Sequence, residues 1–130
     1  MNFLLTGGAG YIGSHAALSL LDAGHNVHII DDLSTGNESL IPKNAFFTKC
    51  NINDEEVISE LIKSNSFDLL MHFAGYIQVE ESVKYPRKYF DNNTKNATNL
   101  FEISTKPSND TSPNTFNVVP VIFPDTSKFL

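Results

Sequence analysis

The sequence predicts an α/β fold, a doubly wound parallel sheet, and three observations carry that prediction. A short apolar run, Phe3-Leu4-Leu5, leads straight into the glycine-rich stretch Thr6-Gly7-Gly8-Ala9-Gly10-Tyr11-Ile12-Gly13. A helical pattern follows and gives way to a second apolar run that ends in Asp31-Asp32. Further on, residues 67–74 (FDLLMHFA) are almost continuously apolar, as a parallel strand covered on both faces requires.

The elements follow in order. The first strand covers about residues 2–5. The first helix covers about residues 12–23: Ile12, Ala16, Ala17, Leu20 and Leu21 recur on one face, and Gly24 stops it. Asn26-Val27-His28-Ile29-Ile30 form the second strand, which ends at Asp31, and Pro42 breaks the loop beyond it. Residues 45–50 (AFFTKC) read as a third strand. Asn53 or Asp54 caps a helix through Lys63 that turns Val57, Ile58, Leu61 and Ile62 inward. The run at 67–74 is the fourth strand, and a helix starts after Pro86 and runs towards Ile103. Four to five strands are expected in all. Residues 107–114 (PSNDTSPN) are a polar, breaker-rich loop. The apolar residues at 116–123 are interrupted by Pro120, which has no N–H for a ladder, so this stretch reads as irregular chain or a poor edge strand. The expected division is a partial nucleotide-binding domain over 1–105 and a divergent tail over 106–130.

Strand, glycine turn, helix, strand and acid in that order form the signature of a dinucleotide-binding βαβ unit. The turn off the first strand needs backbone angles that glycine adopts cheaply. Gly8 and Gly10 are expected to let a pyrophosphate approach the main chain, and Gly13 to let the helix pack close to the strand. The helix N-terminus offers N–H groups and a positive dipole end to the phosphates. A glycine-rich surface turn would account for the glycines but not for Asp31. An acid about twenty residues past the glycines accepts hydrogen bonds from the adenosine ribose. With Asp32 beside it, and no Arg or Lys before Lys43, the pair favours NAD over NADP. Asp32 reads equally well as a solvated acid opening the loop Leu33-Ser34-Thr35-Gly36-Asn37.

Composition narrows the function classes. The chain has 130 residues, 41% of them hydrophobic, which suits one globular domain. A net charge of −6 argues against a nucleic-acid partner. No apolar run reaches membrane-spanning length, and no signal peptide or metal-ligand spacing is expected. The single cysteine, Cys50, fits a reducing compartment, so a cytoplasmic location is expected.

Several motifs together then point to a family. Residues 6–15 (TGGAGYIGSH), 31–34 (DDLS), 72–75 (HFAG), 81–83 (ESV) and 89–93 (YFDNN) resemble those of the UDP-glucose 4-epimerases. These are a branch of the extended short-chain dehydrogenase/reductase group. The motifs span about residues 1–103. The resemblance implies a Rossmann-like fold, NAD as cofactor, a UDP-sugar substrate in the full-length enzyme and, often, a homodimer. It implies a site in which Gly7, Gly8, Gly10, Tyr11, Ile12 and Gly13 border the phosphates. Asp31, Asp32, Leu33, Ser34, Thr35 and Gly36 border the adenosine ribose. Asn51-Ile52 stand where the family commonly has Asp-Ile beside the adenine, so an amide replaces a charge. Phe73, Ala74 and Gly75 end the fourth strand against the cofactor, and Asn92 supports it from the following helix. Ile77 stands where members often carry Lys. His72 reads as a packed strand residue rather than a catalyst, and Tyr85, Tyr89 and Phe90 as helix-packing aromatics.

The resemblance also sets what the chain should lack. The family's hydride shuttle uses a Tyr phenolate to take the sugar's 4-hydroxyl proton, a Lys four residues on to lower the Tyr pKa, and a Ser to hold the hydroxyl. No Tyr occurs after Tyr89, no Tyr in the chain has a Lys four residues on, and no Ser-Ser-Ser run is present. Set against the resemblance, the family's C-terminal sugar domain is also expected to be absent. The expectation is a truncated epimerase, inactive by itself. The alternative is a non-catalytic NAD-binding module, or one half of a split sugar-nucleotide epimerase or dehydratase. Uncovered sheet and helix faces would give poor solubility or partial disorder, most strongly over 106–130.

Overall fold

The computed structural model describes residues 1–76 and 79–105, and the backbone of 117–119. Its strands are β1 (Asn2–Thr6), β2 (Asn26–Asp31), β3 (Phe46–Lys49), β4 (Leu69–His72) and β5 (Asn117–Val119). They form one sheet in the order β3-β2-β1-β4-β5, with every pairing parallel. The chain winds outward from β1 to β3, then crosses back to place β4 on the other side of β1. Ligands of such sheets bind where the winding reverses, here above the carboxyl ends of β1 and β4. The doubly wound, Rossmann-like architecture is therefore as expected. The apolar stretch near Val118 and Val119 supplies the short edge strand; the rest of 106–130, like Ile77, lies outside the described residues.

Side-chain alternation along the strands builds two cores. Phe3, Leu5, Val27 and Ile29 point to the face covered by α1 (Tyr11–Asp22), where Ala17 completes the cluster. Leu4, Ile30 and Leu70 point to the opposite face. There they meet Ile58 of α2 (Glu55–Ser64) and Leu100 and Ile103 of α5 (Ala97–Thr105). Burial on both faces explains why β1 and β4 read as unbroken apolar runs.

The helices end where the sequence places the signals. α1 closes in a Schellman motif: Gly24 (φ +83°) donates to Leu21 at 2.9 Å and His25 to Leu20 at 3.0 Å. Asp54, rather than Asn53, caps α2, accepting from the Val57 N–H at 3.3 Å. Two features were not anticipated. A short helix α3 (Val79–Lys84) precedes Pro86, with Glu80 and Glu81 in its first turn and Lys84 in its last. That charge order complements the helix dipole and was a legible signal. The helix expected from Pro86 to Ile103 is interrupted: α4 (Pro86–Phe90) passes through a π-helical segment, Asp91–Asn96, into α5.

Candidate cofactor site

Three loops meet at the carboxyl ends of β1, β2 and β4. The first is the glycine turn. Gly7 leaves β1 at φ +73°, and a Cβ there would lie 2.6 Å from the Ala74 nitrogen and the Phe73 carbonyl carbon. Gly7 is thus the residue that lets the turn close against the end of β4. A Cβ on Gly13 would strike the Gly7 carbonyl oxygen, so its absence lets the first turn of α1 pack against the chain leaving β1, while Ala17 continues the packing on β1 and β2. At Gly8 the missing side chain also makes room for Ile29, 2.6 Å from an added Cβ. Gly10 has the most room of the four turn glycines, an added Cβ meeting only the Gly7 oxygen, at 3.3 Å.

Gly10 is also the N-cap of α1, and no side chain caps that end. The first N–H groups of the helix therefore point out of the turn without intrahelical partners. Tyr11 is 75% exposed and leans on His15, ring to ring at 4.6 Å, while Ile12 is half-buried behind it. Backbone donors and a positive helix end suit an anion such as a diphosphate.

The second loop follows β2. Asp31 is nearly buried and holds two loops at once. Its Oδ2 accepts from the Ala9 N–H at 3.0 Å and its Oδ1 from the Leu33 N–H at 2.8 Å. Asp31 therefore organises the glycine turn and the loop after β2 together, and each oxygen keeps a lone pair. Leu33 sits at φ +59°, an unfavourable region for a non-glycine residue that the bond to Asp31 helps to maintain. The Asn37 N–H donates to the Ala9 carbonyl at 2.9 Å. Gly36 passes so close that a Cβ would lie 2.8 Å from that of Ala9. Ser34 and Thr35 stand exposed at the tip.

Asp32 faces a different partner. Burial works to raise its pKa, but hydrogen bonds from Ser34 and Asn51 outweigh it and hold the carboxyl below its ordinary value. Its Oδ2 accepts from Asn51 Nδ2 at 2.9 Å, and Asn51 Oδ1 accepts from the Asn53 N–H at 3.0 Å. Asn51 thus braces Asp32. Its neighbour Ile52 is 5% exposed and belongs to the core with Leu4 and Ile58, so its side chain does not line the crevice. Burial, with Asp54 and Asp32 nearby, pushes the Cys50 thiol up to about 11, which leaves it unreactive at neutral pH.

The third loop follows β4. The Phe73 N–H still pairs with the Thr6 carbonyl at 2.8 Å, and the Gly75 N–H turns back on the Phe73 carbonyl at 2.9 Å. Phe73 and Ala74 pack against opposite cores. Asn92 donates to the Ala74 carbonyl at 3.3 Å. Asn93, outside the expected set of site residues, makes shorter bonds: its Oδ1 accepts from the Tyr76 N–H at 2.8 Å and its Nδ2 donates to the Tyr76 carbonyl at 2.8 Å. The adjacent Asn pair, a poor choice for a helix interior, was the available signal.

His72 lies beneath this loop, buried, with Nδ1 2.6 Å from Thr6 Oγ1 and its ring edge-on to Phe101. Burial pushes its imidazole down to about 4 from an ordinary 6.5. A folded-state pKa below the unfolded one means that the unfolded chain takes up the proton first as pH falls. Folding stability is therefore undiminished above pH 6.5 and declines from there towards pH 4, by about 1.4 kcal/mol per pH unit from this group. His28, also lowered by burial, acts in the same direction. Urea titrations at pH 7 and 4.5 should show His72→Gln losing about 2 kcal/mol less than the parent; equal losses would contradict this. His72 is a packed core residue, as its place in β4 suggested.

Switch-point crevice, uncapped helix end and acids after β2 together define a dinucleotide-binding α/β unit. Comparison with known proteins makes the class specific. The NAD dependent epimerase/dehydratase family matches residues 3–123, and the chain belongs to that family. The UDP-glucose 4-epimerase of Lacticaseibacillus casei is 36% identical over 127 residues, 98% of this chain and 36% of its own length. The match thus runs beyond Ile103, where the recognisable motifs stop. A solved UDP-glucose 4-epimerase of Thermotoga maritima with UDP-glucose superposes with a TM-score of 0.77 at 34% identity, covering 81% of this chain and 34% of that one. One from Thermus thermophilus in complex with NAD gives the same TM-score at 33% identity, covering 81% of this chain and 34% of that one. The chain spans about a third of the length of these relatives, and NAD is the cofactor of the family. Among the described residues no helix is long and apolar enough to cross a membrane.

Proposed function

We propose that these 130 residues form the NAD-holding unit of a UDP-sugar 4-epimerase and do not epimerise by themselves. The observation that carries this reading is the joining of three loops at the β1/β4 switch point, with Asp31 bonded to both the glycine turn and the loop after β2. The residues fit the cofactor chemically. The α1 N-terminus at Gly10, Tyr11, Ile12 and Gly13 suits the diphosphate, with Gly7 and Gly8 shaping the turn. Asp31 and Asp32, with Leu33, Ser34, Thr35 and Gly36, suit the adenosine ribose, and a 2′-phosphate would meet two carboxylates. Asn51 and the backbone of Ile52 border the adenine. Phe73, Ala74, Gly75 and Asn92 border the nicotinamide half.

Bound NAD supplies a hydride acceptor and donor. The chain's own residues bind and orient it, and they exclude water with Phe73 and Ala74. No Tyr has a Lys four residues on and no Ser-Ser-Ser run is present, so no group is assigned to move the sugar's hydroxyl proton. Coupled-enzyme assay of the purified chain with UDP-galactose and NAD should show no UDP-glucose formation. Measurable turnover, abolished by Gly13→Val, would overturn the inactive part of the proposal.

A further inference from the structure

We propose that Asn93 is the positioning residue of the nicotinamide side of the crevice: it clasps the backbone of Tyr76 and so holds residues 73–76 in the shape that receives NAD. The inference rests on the NAD-binding reading above. The β4 ladder is spent at Phe73, whose N–H makes the last bond to β1. Beyond it, among the described residues, no strand pairing continues along 74–76. Asn93 supplies what a strand would: one acceptor and one donor, each at 2.8 Å, to the two polar groups of a single residue. Asn92 adds a bond to the Ala74 carbonyl and a second to Asn93 Oδ1 at 3.0 Å.

Both amides sit in the π-helical segment Asp91–Asn96 and reach the same loop. Such turns are uncommon and recur at functional sites. The Tyr76 ring is held as well. Lys88 Nζ lies 4.9 Å from its centroid, and the Tyr89 ring lies 5.4 Å away. Glu81 joins those two side chains, accepting from Lys88 Nζ at 2.8 Å and from the Tyr89 hydroxyl at 2.7 Å. Asn93 is exposed, so the clasp orders a loop and does not rescue a buried polar group. Its loss should therefore weaken binding more than folding.

The test uses the full chain. Calorimetry with NAD should give Asn93→Leu an affinity about tenfold lower than the parent, with the melting temperature within about 2 °C and faster hydrogen exchange at the Tyr76 amide. Asn93→Asp, which keeps the acceptor and loses the donor, should bind at least about threefold more weakly while that amide stays protected. Thr98→Ala, which removes an exposed bond to the Thr94 carbonyl further along the helix, should bind as the parent does. Asn93→Leu binding within about twofold of the parent overturns the inference and leaves the NAD reading intact. If that variant fails to fold, Asn93→Asp binding within twofold does the same. A parent chain that binds no NAD overturns the reading, and the inference with it.

Discussion

Replacing Gly7 with Ala is expected to lower folding stability by about 3 kcal/mol or more and to abolish NAD binding. Two effects add. At φ +73° an L side chain costs about 1–2 kcal/mol. The new Cβ would also lie 2.6 Å from backbone atoms of Phe73 and Ala74, which cannot rotate away. Overpacking of that kind adds about 1–3 kcal/mol. Either the turn leaves β1 or the end of β4 moves, and each movement opens the crevice. Two substitutions separate the effects. Gly24→Ala has a similar φ but open space around it, so it should cost only about 1 kcal/mol. Gly10→Ala, where a Cβ meets only the Gly7 oxygen at 3.3 Å, should cost less stability than Gly7→Ala while weakening NAD binding at the α1 N-terminus. Urea unfolding of the three variants checks the order; a Gly7→Ala loss no larger than that of Gly24→Ala would contradict the close packing of the turn on β4.

Asp31→Asn should have the next largest effect, about 1–3 kcal/mol in stability and at least tenfold in NAD affinity. The carboxylate accepts from two backbone N–H groups, one on each oxygen. An amide has one acceptor oxygen, and its NH₂ would face the other N–H, donor against donor. If the Ala9 bond is lost, the glycine turn loosens; if the Leu33 bond is lost, a residue at φ +59° is released. Asp32→Asn is the fitting control, because the Asp32 bonds to Ser34 and Asn51 are exposed and should matter by less than about 1 kcal/mol. Equal effects of the two substitutions would contradict the assignment of Asp31 as the organiser of both loops.

Much of this was legible in the residues. The alternation of Phe3 and Leu5 against Leu4 shows as an apolar run because both faces are covered, and Gly24 marks the helix end because only its backbone fits there. What was less legible concerns how residues are shared between tasks. The motif locates Gly7, Gly8 and Gly13 at the phosphates, but spacing alone cannot distinguish room for a ligand from room for Ile29 or for the Gly7 carbonyl. The resemblance leads one to expect Ile52 beside the adenine, yet its side chain turns into the core with Ile58 of α2. Asn93 is not singled out by the sequence because two adjacent Asn also read as plain polar helix residues, and its bonds to Tyr76 span seventeen positions. The short helix α3 carries too few residues for periodicity, so only its charge order marks it in the sequence.

Titration of the chain with NAD, followed by amide NMR, tests the central claim most directly. The account predicts shifts at Gly8, Ala9, Gly10 and Gly13, at Leu33 to Gly36, and at Ala74 to Tyr76, with NADP giving weaker shifts at the same amides. At the amino ends of the strands lies a cleft of about 270 Å³ lined by Asn2, His28, Phe46 and Phe67, whose amides should stay still. No shift at millimolar NAD, or shifts confined to that cleft, would contradict the account.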